Sequence, residues 1–254
     1  MELPSGTEKS LIYIPARNLE HIILDTLNSL LPYINKNTQL LLVDDQSTDQ
    51  TYSRAHEFIT QQNIEDYCQL IRLENQAYYG GNQKIAYRYA LNNDYQYIVM
   101  VHGDNQYPAN QVPEILKLLK DTNCAFAYGS RFLGTPLKDG MPVVRYIGNI
   151  MLTKMQNLLL NRQLSEYHSG FRAYNLHFLK TIDFESLSDG FIFDNEIIIE
   201  HIKRDYKILA IKIPTNYSAG SSSISYKDSI IYALKIIINT ISYKFSMGRG
   251  DELK

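Results

Sequence analysis

Short runs of β-branched and aliphatic residues alternate with longer stretches of helical periodicity along this chain, and this alternation constrains the fold most. The strand-like runs lie at residues 11–15, 39–44, 68–73, 97–102 and 124–129, with a later one at 206–213. The helical stretches lie near 19–32, 49–62, 82–93, 108–121, 143–162, 175–182 and 193–205. The alternation predicts an α/β fold in which helices cover both faces of a mostly parallel sheet.

Length and composition are those of a globular protein with a full core. The chain has 254 residues, of which 44% are hydrophobic and 20% charged. We expect one domain over residues 1–220 and a C-terminal amphipathic helical extension over 221–254. The formal net charge of -2 gives no general attraction to nucleic acid, so no nucleic-acid partner is predicted.

Cysteine usage and the absence of apolar segments bear on location. Cys68 and Cys124 form neither a CxxC pair nor a disulfide framework, which indicates two reduced thiols. The start lacks a basic segment followed by an apolar one, and no apolar run approaches the roughly 18 residues of a membrane span. These features predict a cytoplasmic location, with any membrane contact made peripherally at the inner face.

Polar side chains follow three of the predicted strands. Asp104 and Gln106 come after the run at 97–102, the Asp44-Asp45 pair ends the run at 39–44, and Arg17 and Asn18 follow the run at 11–15. Because the carboxyl ends of parallel strands meet at one edge of a sheet, these groups are expected to share a crevice. Carboxylate and amide oxygens suit Mg²⁺ or Mn²⁺, so the pattern predicts a metal-diphosphate site. An ordinary turn has the same composition and is the alternative.

Five segments carry a family resemblance, and they occur in the family's order from residue 11 to about residue 220. With them the chain resembles a family-two glycosyltransferase of the GT-A fold, a Rossmann-like architecture, and is most similar to the dolichyl- and polyprenyl-phosphate sugar transferases. The segments are Ile14–Asn18, Val43–Thr51, Asp104–Pro108, Gly129–Phe132 and Ser169–Tyr174.

The resemblance implies a metal-dependent, inverting transfer of a sugar from a nucleotide-diphosphate sugar to a polyprenyl phosphate. Pro15 and the Asp44-Asp45 pair match positions that hold the base and ribose. Asp104 and Gln106 match ligands of Mg²⁺ or Mn²⁺, and Asp104 is therefore predicted to be catalytic. Arg131 matches a residue that binds the acceptor phosphate or the leaving phosphate, for which its planar fork of donors is suited.

Four further residues complete the predicted substrate-binding set. Arg145 offers a second guanidinium fork, and Lys84 follows a glycine-bearing turn where backbone amides can face an anion. Arg17 lies at the end of the first strand, and Ser169 opens the Ser169–Tyr174 segment. Solvated surface charge is the alternative for Arg131 and Arg145, and an ordinary turn is the alternative for the glycine-bearing segment.

The chain departs from the family pattern at several positions. His102 stands where the family usually has an aspartate, and a neutral imidazole is predicted to join Asp104 and Gln106 as a ligand. A satisfied core histidine is the alternative. Gln46 and Gln50 replace glycines, so the nucleotide base is not inherited and UDP, GDP and TDP sugars remain open.

The acceptor decides whether a general base is needed. A phosphate nucleophile is ionised near neutral pH, whereas a sugar hydroxyl in a polysaccharide or lipid-linked glycan must lose a proton. Glu166 is the best candidate base, followed by Asp194 and Glu196. A non-catalytic nucleotide-sugar-binding partner is an alternative from another class, while the lack of GxGxxG argues against a dinucleotide oxidoreductase.

The C-terminal segment has two apolar faces at helical spacing. One is predicted to face the core, and the other, formed by Tyr232, Ile236 and Tyr243, is predicted to contact a partner subunit in a homo-oligomer or the membrane interface. The preceding segment, Ser218–Ser223, suits either a linker or a lid. The predicted core-facing residues are Ile231, Leu234, Ile237, Ile238, Ile241 and Phe245.

Overall fold

Seven strands form one sheet in the computed structural model, which describes residues 8–214, the backbone of 226–250 and the side chains of 230–244. The strands are β1 (Ser10–Ala16), β2 (Thr38–Asp44), β3 (Cys68–Arg72), β4 (Tyr97–Met100), β5 (Phe126–Ser130), β6 (Arg172–Asn175) and β7 (Ile208–Lys212). Their order across the sheet is β3-β2-β1-β4-β6-β5-β7. The predicted α/β class is confirmed.

Six of these strands run parallel, and β6 runs against them. It pairs antiparallel with β4 on one side and with β5 on the other, whereas β1 pairs parallel with β2 and β4. The mostly parallel sheet is therefore confirmed, but β6 was not predicted. Its residues fall within the Ser169–Tyr174 segment, whose short turn-like sequence carries no strand signal of its own.

Helices cover both faces of the sheet, because alternate strand residues point to opposite sides and both sides are apolar. Ile12 and Leu40 face one cluster, which α1, α2 and α4 complete, while Leu11 and Leu41 face another, which α3 and α7 complete. The helices are α1 (Ile23–Leu30), α2 (Thr51–Gln61), α3 (Tyr78–Asn92), α4 (Val112–Thr122), α5 (Val143–Leu160), α6 (Leu176–Leu179), α7 (Phe193–Lys203) and α8 (Tyr226–Gly250).

The last helix, α8, packs against α5 and α7, and it does so with the face opposite to the predicted one. Ile236 and Thr240 are completely buried and Tyr243 nearly so. The prediction that the other stripe faces the core was wrong, because polar partners on the neighbouring helices match the buried face. Asn239 Nδ2 donates to Asn195 Oδ1 at 3.1 Å, and Gln156 Nε2 donates to Thr240 Oγ1 at 3.4 Å. The exposed members of the predicted stripe are Ile231, Leu234, Ile238 and Ile241.

Two sequence predictions concern residues beyond this description. The domain boundary at 220/221 and the Ser218–Ser223 linker or lid both lie outside the described residues. Within the described parts of the chain, no helix combines the length and apolar character needed to cross a membrane.

Candidate active site

The loops that follow β1 and β2 are bonded to one another at the carboxyl edge of the sheet. Asn18, which has a left-handed backbone with φ 51°, donates its N–H to Ser47 Oγ at 2.9 Å. Its side-chain oxygen accepts from Thr48 N at 2.9 Å. Asp45 Oδ1 accepts from Ala77 N at 2.6 Å and so joins the loop before α3 to the same edge. The predicted nucleoside residues are therefore close in the fold, with Pro15 at the end of β1 and Asp45 just after β2.

Asp44 and Asp45 have different surroundings. Asp44 is fully buried, accepts from the Ser47 hydroxyl and lies 3.6 Å from Arg72 Nε, and its burial raises the pKa of its carboxyl. Asp44 thus shapes the turn, and Asp45 is the member of the pair nearer the crevice. Gln46 has φ 58°, the backbone region that favours the glycine found there in the family.

The turn after β4 packs directly against the end of β1. A Cβ added to Gly103 would lie 2.6 Å from Leu19 Cδ1 and 3.3 Å from Pro15 O, so the glycine allows this close approach without displacing either neighbour. Within the turn, Gln106 N donates to Asp104 Oδ1 at 3.2 Å, which orients the carboxylate. Asp104, only 7% exposed, therefore belongs to a turn that packs beside Pro15 at the end of β1.

His102 joins this turn to the Ser169–Tyr174 segment. A Cβ added to Gly170 would lie 2.6 Å from His102 Cε1, and the His102 Nε2 atom lies 3.3 Å from Tyr79 Oη. Tyr107 packs edge-on against the imidazole, and its hydroxyl accepts from Gly170 N at 2.9 Å. Burial lowers the pKa of His102, so the ring is neutral. This enclosure favours a positioning role over the predicted metal-ligand role.

The oxygen donors at the turn fit a cation that arrives with a substrate. Among the described residues, no group of three or more His, Cys, Asp and Glu side chains could hold a metal ion. Asp104 and Gln106 supply one carboxylate and one amide oxygen. Mg²⁺ and similar ions are commonly held by one or two carboxylates, with substrate phosphates and water completing the coordination. The pair thus suits a metal-diphosphate complex and not an all-protein metal cage.

Arg131 follows β5 and forms a buried ion pair with Glu166. Glu166 Oε2 accepts from Arg131 N at 2.8 Å, while Oε1 accepts from Arg131 Nε at 2.6 Å and from the NH2 group. The NH2 group also donates to His168 O at 3.3 Å. Glu166 therefore orients the guanidinium, and its role as a general base stays a prediction.

The two other candidate bases are also engaged. Asp194 Oδ2 accepts from Tyr79 Oη at 2.9 Å and lies 3.4 Å from Arg172 Nε, and Glu196 accepts from both N and Oγ of Ser188. Arg172 and Tyr79 were not singled out from the sequence. Burial alone would lower the pKa of Arg172, but Asp194, Tyr174 and Tyr79 together outweigh it and the pKa is raised. The signal available for them was their position, with Arg172 in the Ser169–Tyr174 segment and Tyr79 in the glycine-bearing turn before Lys84.

The remaining predicted binding residues are placed differently from one another. Ser169 is buried, and its carbonyl accepts from Arg172 Nε at 2.7 Å. Arg17 is exposed at the end of β1, and Arg145 is half-buried in the first turn of α5.

Lys84 is bonded to a neighbouring loop, and its predicted contact with an anion stays a prediction. Its buried ammonium donates to Glu185 O at 3.1 Å, to Leu187 O and to Asp189 Oδ1 at 2.7 Å. These three contacts account for the three donors of an ammonium group. Lys84 therefore fastens the loop before α7 to α3.

A family model supplies the class of protein. The model described as glycosyl transferase family 2 matches residues 11–183, and the chain belongs to that family. Its fold and this membership make it a glycosyltransferase, as the motif order predicted.

Three curated relatives are similar in sequence. An uncharacterized protein of Methanocaldococcus jannaschii is 28% identical over 90% of this chain and 97% of the relative. The low-salt glycan biosynthesis hexosyltransferase Agl6 of Haloferax volcanii is 29% identical over 59% of this chain and 36% of its own length. The UDP-N-acetylglucosamine–dolichyl-phosphate N-acetylglucosaminyltransferase of Methanococcus voltae is 23% identical over 92% of this chain and 96% of the relative.

Solved structures share the fold. Glucosyl-3-phosphoglycerate synthase of Mycobacterium tuberculosis, crystallised with Mn²⁺, UDP-glucose and phosphoglyceric acid, superposes with a TM-score of 0.67 at 17% identity, covering 93% of this chain and 80% of that one. A mannosyltransferase of Pyrobaculum calidifontis with GDP-Man and Mn²⁺ gives a TM-score of 0.65 at 13% identity, covering 95% and 65%. The predicted GT-A fold is confirmed.

Proposed function

We propose that this protein is a metal-dependent, inverting transferase that moves a sugar from a nucleotide-diphosphate sugar to a polyprenyl phosphate. The observation that carries the proposal is that the segments bearing Asp104 and Arg131 both contact the chain at residues 166–170. His102, two residues before Asp104, packs on Gly170, and Arg131 is held by Glu166 and His168 O. With this arrangement a carboxylate for a metal and a guanidinium for a phosphate would be available to one substrate.

The donor half of the crevice supports a nucleotide diphosphate. Asp45 offers a nucleoside a carboxylate that can accept a hydrogen bond, and Pro15, at the end of β1, offers it an apolar contact. Asp104 and Gln106 would hold the divalent cation, which when bound neutralises charge on the departing diphosphate. Arg131, whose Nε and NH2 groups both donate to Glu166 Oε1, would bind a phosphate oxygen without losing much side-chain freedom.

The acceptor half supports a nucleophile that is already ionised. Glu166 accepts from Arg131, Asp194 from Tyr79 and Glu196 from Ser188, whereas a sugar-hydroxyl acceptor would need one of these carboxylates as its general base. A phosphate acceptor needs no such base. The Methanococcus voltae relative named for a dolichyl-phosphate acceptor covers nearly the whole chain, which favours the same acceptor class here.

Transfer by an Asp104→Asn variant tests the proposal. We expect sugar transfer to a polyprenyl phosphate, measured with a panel of UDP-, GDP- and TDP-sugars and Mn²⁺, to fall by on the order of 10²- to 10³-fold, because the charge that holds the cation is lost. The matched control is Asp121→Asn, which removes an exposed carboxylate on α4 and is expected to retain full activity.

Two results would contradict the assignment. Undiminished metal-dependent transfer by Asp104→Asn would remove Asp104 from the site. Transfer by the unaltered protein to a glycan hydroxyl, with none to polyprenyl phosphate in the same panel, would replace the acceptor class.

A further inference from the structure

Helices α5 and α8 lie against each other, and both leave large apolar side chains exposed. The exposed fraction reaches 79% at Leu158 and 64% at Ile238. Contiguous apolar surface of this kind marks an interaction site on a water-soluble domain. The α5–α8 face, as we define it, comprises Val143, Val144, Ile147, Met151 and Leu158 on α5, with Ile230, Ile231, Leu234, Ile238 and Ile241 on α8.

The charged residues in the parts of these helices whose side chains are described are all cations; Asp228, near the start of α8, lies outside those parts. Over the whole of α5 and residues 230–244 of α8, the charged side chains are Arg145, Lys154, Lys235 and Lys244, and neither segment contains Asp or Glu. The three lysines are exposed beside the apolar residues. An apolar surface that carries exposed lysines is complementary to a bilayer with anionic headgroups, which accepts apolar side chains and attracts lysine.

A second copy of this chain is a poorer occupant of the same face. In a two-fold dimer the same patch meets itself, so the four cations of one copy would be set against the four of the other. Such like-charge pairing across an interface is unfavourable. The charge pattern therefore selects an anionic membrane over a homodimer.

The face also adjoins the proposed phosphate site. The Tyr232 ring of α8 lies 6.0 Å from the His168 ring, and the His168 carbonyl accepts from Arg131. The loop that joins Arg131 to the start of α5 also exposes two apolar side chains, Leu133 and Leu137. A bilayer contacting α5 and α8 would thus meet the molecule beside Arg131.

We propose that the α5–α8 face docks the protein onto an anionic bilayer surface, with α5 and α8 lying in the interface and their lysines at headgroup level. Since no described helix can cross a membrane, the contact is peripheral. The lysine stems lie along the apolar surface and the ammonium groups reach the phosphates. The inference concerns attachment and stands whether or not the acceptor is a polyprenyl phosphate.

Cosedimentation of the full chain with vesicles tests the proposal. We expect binding to phosphatidylcholine vesicles that contain phosphatidylglycerol, weaker binding at high salt, and little binding to pure phosphatidylcholine. A Leu158→Glu/Ile238→Glu variant should bind at least about tenfold more weakly, because two apolar side chains that would contact the lipid are replaced by carboxylates. Tyr67→Glu, which alters an exposed aromatic residue beside β3, is the matched control and should bind normally.

Further readouts separate the outcomes. Circular dichroism and thermal melting should be unchanged in the double variant, since both positions are exposed, and its transfer to a water-soluble short-chain polyprenyl phosphate should match the unaltered protein. Absence of vesicle binding by the unaltered protein, or binding that the double variant retains, would overturn the proposal. The proposal would also be overturned if light scattering showed a dimer that the double variant loses, while the unaltered protein does not bind vesicles.

Discussion

At the scale of single residues, burial changes the role that a charged side chain can take. Glu166 is 1% exposed and both its oxygens accept from Arg131, so its charge is used to hold a guanidinium. Lys84 is likewise used to fasten a loop. The sequence shows that an acid or a base is present, whereas its partner is decided by segments tens of residues away.

A Glu166→Gln substitution distinguishes the two roles of this side chain. We expect the KM for the acceptor phosphate to rise and the acid limb of the pH–rate profile to stay in place, because Arg131 loses its anchor while no base is removed. Unfolding free energy should fall by about 3 kcal/mol, the cost of breaking a buried ion pair. Steady-state kinetics against pH and urea titration measure both quantities.

The control for this substitution is Glu114→Gln, an exposed position in the first turn of α4. Loss of the acid limb in Glu166→Gln, with the KM for acceptor unchanged, would identify Glu166 as the base after all.

At the scale of elements, pairing and packing decided what periodicity left open. The chain at Arg172–Asn175 is a strand because β4 and β5 supply hydrogen-bonding edges on both sides. Helix α8 has two apolar faces of the same period, and the partners Asn195 and Gln156 select the face that holds Asn239 and Thr240. Local sequence patterns specify that a helix forms but not which side it buries.

Two isoleucines on α8 test this orientation. Ile236→Ala should lower the free energy of unfolding by about 2–5 kcal/mol, because it removes a fully buried side chain. Ile238→Ala, the matched control two residues away and 64% exposed, should change it by no more than about 0.5 kcal/mol. Urea denaturation of both variants is the measurement, and a larger cost at Ile238 than at Ile236 would reverse the orientation.

At the scale of the whole molecule, the parallel sheet gathers chemistry from distant parts of the sequence. The ends of β1, β2, β4 and β5 all open at one edge, where hydrogen bonds join their loops.

Away from this edge, His201 of α7 is completely buried. Its Nδ1–H donates to Ile197 O at 2.7 Å, and burial lowers its pKa to about 4.

This buried histidine makes global stability depend on pH. Below pH 6.5 the unfolded chain binds a proton at His201 that the folded protein does not take up until about pH 4. Stability is therefore complete above pH 6.5 and decreases as the pH falls towards 4, by about 2 kcal/mol at pH 5 from this group. His201→Gln should flatten the pH dependence of the urea midpoint, whereas His21→Gln, at an exposed position, should leave it unchanged. An equal slope in all three proteins would contradict the assignment.

The sequence by itself determined the α/β alternation, the order of the site segments and the family, because strand and helix periods and short motifs are properties of neighbouring residues. Only the tertiary structure decided the antiparallel β6, the buried face of α8, the pairing of Glu166 with Arg131 and the enclosure of His102 by Gly170. Each of these depends on contacts between residues far apart in the chain, as with the 35 positions that separate Arg131 from Glu166. A local pattern carries no record of such partners, since folding brings them together only when the sheet forms.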